Sequence, residues 1–504
     1  MSEALGSPPS APTPPPASDE ASSEIPLWLV VGAVAVLVAA LGLTAFVLLN
    51  QPDKKEAPVA AYPKTWDPRI VKYAHIAEKE RGLTFVHPVA VRFLPKEEFQ
   101  KDVRTDESEL DKNDKQDLER SAGLLRAIGM LPAGVDLLGA LNDAQGSDTL
   151  AYYSFDDQRV TVRGTEVTPA MRSTLVHELT HALQDQHFGI GKRMKELSKQ
   201  GLDSPTTESS VLDAIVEGDA VRVEALYRDS LSAKQQAALD QGQKDDLTTA
   251  QAELKGVPKV IVTMMTAPYA LGQAMMQAVA DGGGNTAVDA MFREPPTHDA
   301  VLLDPFAVLS GDTSAKQVAR PALAAGEKKI AAGEFGAVTW YFMLAERVPL
   351  VQALDAVSGW GGDNMVGFER DGRTCARVAY VGDTDRDTAA MLQALQTWVA
   401  GSGSNATVSP SGDGLVFESC DSASTTAAGK DTSENALQLA AVRSFLGINL
   451  MKAGAPQELA HCVADRLVHT YSAAQLSDPN FGANDPAVKA RLQQVGLACR
   501  GAAQ

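Results

Sequence analysis

The segment from Arg172 to Phe188, RSTLVHELTHALQDQHF, most limits what this chain can form, because it combines a helical pattern with two histidines four residues apart. Thr168 and Pro169 precede it, and they supply an N-cap hydroxyl and a proline at the first helical position. Glycine follows the segment, as is common after a helix. The pattern predicts one helix that carries both histidines on an apolar body, close to a core.

His177 and His181 lie one helical turn apart and face the same way. This spacing lets two imidazoles bind one Zn²⁺ at about 2.0–2.1 Å each. Glu178 can accept a proton from a metal-bound water without being a ligand itself. The alternative is a helix with two ordinary histidines, but only 8 of 504 residues are histidine, and burying unpaired imidazoles is costly. We therefore predict Zn²⁺ bound by His177 and His181, with Glu178 as the catalytic base.

A catalytic zinc also needs a third protein ligand. His187 follows His181 by six residues and points about 60° away from it, so we do not expect His187 to bind the metal. Glu217 is the better candidate, because it lies on the apolar face of a predicted helix, where a carboxylate needs a partner. Gly218 would let this helix approach the histidine helix closely. The alternative is a surface acid paired with Arg222.

Together these motifs resemble those of the gluzincins, the zinc metallopeptidases with two histidines and one glutamate as ligands. In particular, the chain is similar to an uncharacterised family of bacterial membrane-anchored proteins over roughly residues 120–400. The matching stretches are YYSFDDQRVTVRG, TLVHELTHALQDQHF and VEGDA, with looser matches in EPPTHDAVLLDP and GWGGD.

The resemblance implies an α+β fold with a zincin-like metallopeptidase domain. Such a domain has a small mixed sheet, the active-site helix and a second helix that bears the glutamate, and we expect mostly helices elsewhere. Two short strands are predicted around a turn at Asp156 and Asp157. The resemblance also implies that the second of these, VTVRG, lies near the cleft as an edge strand able to pair with an extended peptide.

The sequence departs from the gluzincin pattern after Glu217. Many gluzincins have an aspartate four residues after the ligand glutamate, where it orients a histidine, and here Val221 stands at that place. Asp219 would point to another face of the helix. Asp213 and Asp185, each one turn from a predicted ligand, are the candidates for this orienting task.

A metallopeptidase also needs a polar group that stabilises the tetrahedral oxyanion. Tyr269, His298 and Tyr341 are candidates, and a purely structural role is the alternative for each. Trp360, in the glycine-rich stretch GWGGDN, would either line a substrate cleft or lie in a packed turn.

Charge excludes one class of partner. The chain has 64 acidic and 45 basic residues, with a net charge of −19 and no basic stripe. Because phosphate binding needs a basic face, we expect no nucleic-acid partner.

The N-terminal part predicts attachment to a membrane. Residues 1–24 are rich in proline, serine and alanine, which favours a disordered tail. Residues 25–49 predict a single transmembrane helix, and 50–68 a linker. Lys54 and Lys55 after the span would place the large domain in the cytoplasm by the positive-inside rule. The cysteines and the resemblance favour the opposite orientation, so we expect an extracytoplasmic domain in the cell membrane.

The four cysteines all lie in the last third of the chain, and none has the C-x-x-C spacing of a zinc ribbon. An even number beside a membrane segment favours two disulfides between neighbours, Cys375 with Cys420 and Cys462 with Cys499. Buried free thiols are the alternative. We expect a zincin-like catalytic region at 69–421, a linker at 422–435 and a small helical domain at 436–504.

The resemblance thus implies a membrane-anchored zinc metallopeptidase, a hydrolase that acts on peptide or protein substrates. The alternative from another class is a catalytically inactive binding or scaffold protein with the same fold at the cell surface. The intact glutamate at position 178 favours the enzyme, since a purely structural metal site has no use for a base there.

Overall fold

The computed structural model describes residues 62–146, 149–402, 406–422, 432–478, 481 and 485–502. The predicted tail and transmembrane helix lie outside these residues, as do most of the two predicted linkers. Among the helices of the described residues, none has the length and apolar character needed to cross a bilayer.

Helices make up most of the described chain, and we number them in order. The first nine are α1 (Val71–Arg81), α2 (Lys96–Asp102), α3 (Lys112–Ala127), α4 (Leu137–Gly146), α5 (Pro169–Phe188), α6 (Ile190–Ser198), α7 (Glu208–Asp229), α8 (Ala233–Glu253) and α9 (Lys259–Arg293). The others are α10 (Ala300–Leu303), α11 (Phe306–Ser310), α12 (Ala337–Ala345), α13 (Leu350–Ser358), α14 (Asp385–Ala400), α15 (Ser433–Lys452), α16 (Gln457–Val468), α17 (Ala473–Ser477) and α18 (Pro486–Ala502). A short 3₁₀ helix spans Glu107–Glu109, and α9 is interrupted at Gly283 and Gly284.

The strands form two separate sheets. They are β1 (Ala90–Leu94), β2 (Ala151–Ser154), β3 (Arg159–Arg163), β4 (Lys328–Gly333), β5 (Trp360–Arg370), β6 (Arg373–Gly382), β7 (Ala406–Ser411) and β8 (Gly414–Cys420). The first sheet has the order β1-β3-β2, with β1 parallel and β2 antiparallel to β3. The second has the order β4-β5-β6-β8-β7 and is antiparallel throughout. The protein is therefore α+β, as predicted.

The prediction that VTVRG forms an edge strand is wrong. Its residues belong to β3, which has β1 on one side and β2 on the other. The predicted strand–turn–strand around Asp156 and Asp157 is confirmed as β2 and β3, and within the described residues β1 and β2 are the two edge strands of this sheet. An extended peptide could therefore pair with β1 or β2 but not with β3.

Helix α5 lies at the centre of the part that contains the first sheet. The Thr168 hydroxyl caps it by accepting a hydrogen bond from Met171 N at 3.2 Å, as predicted. All the side chains from Ser173 to Asp185 are buried, so the helix is covered on every face. Its apolar residues pack against the first sheet and α1. The polar residues of α5 must consequently find partners inside the protein.

Helix α7 crosses α9 at very short range. A Cβ atom built on Gly218 would lie 2.2 Å from the carbonyl carbon of Gly272, and one built on Gly272 would lie 2.0 Å from Ala214 O. Gly218 was expected to allow close approach to the histidine helix. Its nearest neighbour is instead the backbone of α9, so a third long helix joins the site.

Helix α15 packs on the same core as the rest, whereas α16 and α18 pack against each other in a small separate cluster. Helix α15 follows the predicted linker and lies against α9 and α12. Both predicted disulfides are confirmed: Cys375 of β6 bonds to Cys420 directly opposite on β8, and Cys462 of α16 bonds to Cys499 of α18. The second disulfide therefore joins α16 to the last helix of the described chain.

Candidate metal centre

Helix α5 presents the two histidines side by side. The ring centres of His177 and His181 lie 4.6 Å apart, and the ring planes are nearly perpendicular, at 87°. The two residues are 1% and 2% exposed. Helical periodicity alone places them on one face, because four residues are close to one full turn.

Helix α7 brings Glu217 to both rings. One carboxylate oxygen, Oε2, lies 3.2 Å from His177 Nε2 and 3.3 Å from His181 Nε2. Glu217 is 4% exposed, and its predicted alternative partner, Arg222, binds Asp219 and Asn285 instead. The three side chains that were predicted as metal ligands thus converge on one point.

The geometry and the donor set fit a metal ion. In a tetrahedral shell with bonds of about 2.0–2.1 Å, neighbouring ligand atoms lie about 3.3 Å apart, which agrees with the separations just given. His181 Nε2 is buried and forms no well-shaped hydrogen bond with any described residue, although Glu217 lies beside it. Two imidazole nitrogens and a carboxylate oxygen could therefore hold a cation here.

The protonation of these side chains is mutually dependent. Burial opposes a charged His177, but the carboxylates of Glu217 and Glu224 outweigh it and raise the pKa of His177 to about 10. Burial likewise opposes a charged Glu217, but His181 and His177 lower the pKa of Glu217 to about 2. A cation can replace the protons that the imidazoles share with Glu217, because metal binding displaces protons from its ligands.

Glu178 lies beside this point without being part of it. It is fully buried, and its Oε2 accepts a hydrogen bond from the backbone N–H of Tyr153, on β2, at 2.7 Å. Its other oxygen, Oε1, forms no hydrogen bond with any described residue. Burial raises the pKa of the Glu178 carboxyl to about 7, which suits a group that takes up and releases a proton near neutral pH.

Two residues that sequence reasoning missed contact the outer nitrogens of the histidines. His181 Nδ1 lies 3.0 Å from Gln184 Oε1, and His177 Nδ1 lies 3.5 Å from Glu224 Oε2. Glu224 follows Glu217 by seven residues, or two helical turns, so it shares that face of α7. A second buried acid at this spacing was the signal that could have pointed to it.

The residues predicted for this orienting task lie elsewhere. Asp185 accepts hydrogen bonds from the Tyr153 hydroxyl and from Gly191 N, at 3.0 and 2.9 Å, so it ties β2 to the end of α5. Asp213 is buried one turn before Glu217, and burial together with the Glu217 charge raises the pKa of Asp213 to about 8. Neither contacts a histidine nitrogen in the described structure, where Gln184 and Glu224 lie at the outer nitrogens instead.

Of the three candidates for oxyanion stabilisation, the structure brings only Tyr269 to the centre. Its ring, on α9, lies nearly parallel to that of His177, at 19°, with centres 6.2 Å apart. Burial, and then the charge of the nearby Glu217, raise the pKa of its hydroxyl well above the ordinary value. His298 instead pairs with Glu334 at 2.6 Å, and the Tyr341 hydroxyl donates to Ala436 O at 2.9 Å.

Two other sequence features have structural roles. His187 Nε2 lies 2.8 Å from Thr84 O, so this histidine joins the end of α5 to the loop after α1. Trp360 begins strand β5 and so does not lie in a turn; it is 5% exposed and donates from its indole N–H to Asp363 at 2.8 Å, which makes it part of the packed interior.

Comparisons of this chain with protein-family models, with curated proteins and with solved structures found no match. What the site does must therefore be argued from its own side chains.

Proposed function

We propose that the protein is a zinc-dependent metallopeptidase with a zincin-like catalytic region. The observation that carries this proposal is the convergence of His177, His181 and Glu217, with the carboxylate of Glu178 directly beside them. Two histidines and one carboxylate are a typical donor set of catalytic zinc, which keeps a fourth position open for water or substrate.

Each side chain then has a distinct task. His177, His181 and Glu217 would hold the ion. Bound zinc would lower the pKa of a water molecule, so that the water could lose a proton and attack near neutral pH, and it would also polarise a peptide carbonyl. Glu178 Oε1 forms no hydrogen bond with any described residue. It would accept the proton of that water and pass it to the leaving amine. The Tyr153 N–H holds Oε2 and so fixes the carboxylate.

The location of β2 supports a peptide as substrate. Within the described residues β2 is an edge strand of the first sheet, and its Tyr153 N–H points to Glu178. A chain added along β2 would run past the base and the ion, and main-chain hydrogen bonds would hold it without regard to its sequence.

We also propose that the domain is extracytoplasmic and tethered by the predicted span at 25–49. Two disulfides support this location, because such bonds persist in oxidising compartments.

One observation favours the second candidate, an inactive scaffold in which zinc is structural or absent. Glu178, His177, His181 and Glu217 are each at most 4% exposed, so a peptide reaches them only after the surrounding elements move apart. The two candidates differ in the use of Glu178, which a structural site does not need.

Metal analysis of the full-length chain tests the proposal. We expect about one zinc per chain in the wild type and in Glu178→Gln, and none in His181→Ala or Glu217→Ala. Cleavage of a library of internally quenched peptides should occur only in the wild type. Wild-type protein without zinc overturns the metallopeptidase and favours the scaffold, and zinc without cleavage also favours the scaffold.

A further inference from the structure

We propose that Gln184 and Glu224 are positioning residues that fix the two histidines for metal binding, and that Arg81 of α1 supports one of them. The inference rests on the proposed zinc site. It concerns side chains that do not touch the ion, so it can fail while zinc binding itself stands.

The orientation of Gln184 determines the tautomer of His181. The amide nitrogen of Gln184 donates to Val216 O at 3.0 Å and to Asp219 Oδ2 at 3.1 Å. Because both of these atoms are acceptors, the amide cannot be reversed, and its oxygen must face the histidine. That oxygen lies 3.0 Å from Nδ1, which therefore carries the hydrogen. In the neutral ring, Nε2 then keeps its lone pair on the side of Glu217.

Asp219 is held in turn by two arginines. Arg81 Nε donates to its Oδ2 at 2.6 Å, and Arg222 Nη2 donates to its Oδ1 at 2.8 Å. Asp219 and Arg81 are both fully buried. Arg81 also pairs with Asp289 of α9 at 2.7 Å. A continuous chain of buried contacts therefore runs from α1 and α9 through Asp219 and Gln184 to His181.

His177 has a separate and chemically different support. Glu224 Oε2 lies 3.5 Å from His177 Nδ1, and Glu224 Oε1 accepts a hydrogen bond from the Ser173 hydroxyl at 2.6 Å. His177 Nδ1 forms no well-shaped hydrogen bond with any described residue, whereas Nε2 lies within hydrogen-bond distance of Glu217 Oε2, at 3.2 Å. If a metal replaced the proton that Nε2 shares with Glu217, the hydrogen of the neutral ring would lie on Nδ1, which faces Glu224, a group that only accepts hydrogen bonds. Helix α7 thus supplies both a ligand and the group that orients another ligand.

These contacts explain why buried polar groups surround the histidines. Hydrogen bonds to the outer nitrogen of a metal-binding histidine set its tautomer and ring orientation, and their loss typically weakens metal binding by about 10–100-fold. The carboxylate of Glu224 and the amide of Gln184 should not raise zinc affinity equally. An ionised hydrogen-bond partner makes the imidazole more basic, so that its electron pair binds the metal more strongly. We therefore expect a larger effect at Glu224 than at Gln184.

To test this inference, the zinc affinity of the full-length chain and its variants would be measured by competition with a chromophoric chelator. Gln184→Leu and Glu224→Leu, which remove the acceptor at each outer nitrogen, should each weaken zinc binding by about 10–100-fold. Arg81→Lys, which keeps the charge but loses the fork of donors, should weaken it less. Gln186→Leu is the matched control, because its amide bonds the backbone of Val86 and His87 and should leave zinc affinity unchanged.

Melting temperature in the presence of excess chelator separates folding from metal binding. Ser173→Ala is a milder variant that removes only the hydroxyl held by Glu224, and it should weaken zinc binding several-fold without lowering that temperature much. Wild-type affinity in Gln184→Leu and Glu224→Leu would overturn the inference while the proposed function stood. Equal weakening in Gln186→Leu would also overturn it. Absence of zinc from the wild type would instead overturn the proposed function.

Discussion

Gly218 and Gly272 meet backbone to backbone where α7 crosses α9, so closely that a Cβ atom on Gly218 would lie 2.2 Å from the Gly272 carbonyl carbon. The atoms that an added Cβ would meet belong to the backbone of the facing helix, which cannot move aside as the end of a flexible side chain could. We expect Gly218→Ala to lower the free energy of unfolding by about 3 kcal/mol, the upper part of the usual range for overpacking. Chemical denaturation would measure this loss. Because Glu217 is the preceding residue, zinc content should fall as well.

A helical glycine in open space is the control for that substitution. A Cβ atom on Gly496, in α18, would meet nothing within 4 Å. Gly496→Ala should therefore stabilise the protein by roughly 0.5–1 kcal/mol, the usual gain when alanine replaces glycine in a helix. Equal effects at the two positions would show that the crossing is not as tight as described.

Glu178→Gln should separate metal binding from hydrolysis. Glutamine has the same shape and can still accept the Tyr153 N–H, so zinc content should not change. It cannot take a proton from water, and general-base catalysis contributes about 10²–10⁴-fold, so peptide cleavage should fall by a factor in this range. Initial rates on a cleaved quenched peptide would test this. A rate within threefold of the wild type would exclude Glu178 as the base.

Tyr269→Phe and Tyr341→Phe form a matched pair with opposite expectations. The buried Tyr269 hydroxyl lies beside Glu217 but forms no well-shaped hydrogen bond with any described residue, so its loss should change stability by less than about 1 kcal/mol. If it donates to the developing oxyanion, cleavage should slow by about 10²-fold. Tyr341 donates to Ala436 O, so Tyr341→Phe should cost about 1 kcal/mol of stability and leave the rate unchanged. The reverse pattern would exclude Tyr269 from the chemistry.

The local features of the site were predictable from sequence because they repeat with the helix. Four-residue spacing placed His177 and His181 on one face, and an acid on the apolar face of another helix pointed to Glu217. Neighbouring cysteines in sequence likewise gave both disulfides. Only the two histidines are placed within one short stretch; the disulfides, between cysteines 45 and 37 residues apart, followed from the order of the cysteines along the chain.

The long-range features were not predictable, because no local pattern encodes them. Arg81 and Asp219 are 138 residues apart in sequence, and nothing near either one indicates that they pair. The order β1-β3-β2 depends on a parallel pairing of β1 with β3, and this pairing placed VTVRG in the centre of the sheet. The partner of Gly218 likewise lies on a helix more than fifty residues further along the chain.

Glu327 pairs with Arg370 of β5 and Arg377 of β6, and we expect these ion pairs to make the stability of the second sheet depend on pH. Hydrogen bonds from Arg377, and more weakly from Ala324 N and Arg370, outweigh burial and lower the pKa of Glu327 to about 2. Because the folded-state pKa lies below the ordinary value of 4.5, this stabilisation is complete above pH 4.5 and is lost as pH falls towards 2. Glu327→Gln should therefore be less stable than the wild type by about 1–3 kcal/mol at pH 7, and the difference should shrink steadily below pH 4.5. Denaturant titrations of both proteins from pH 7 to pH 3 would measure it, with the exposed Glu119→Gln on α3 as the control. A difference that stays constant over this pH range would show that the charge of Glu327 is not what stabilises the sheet.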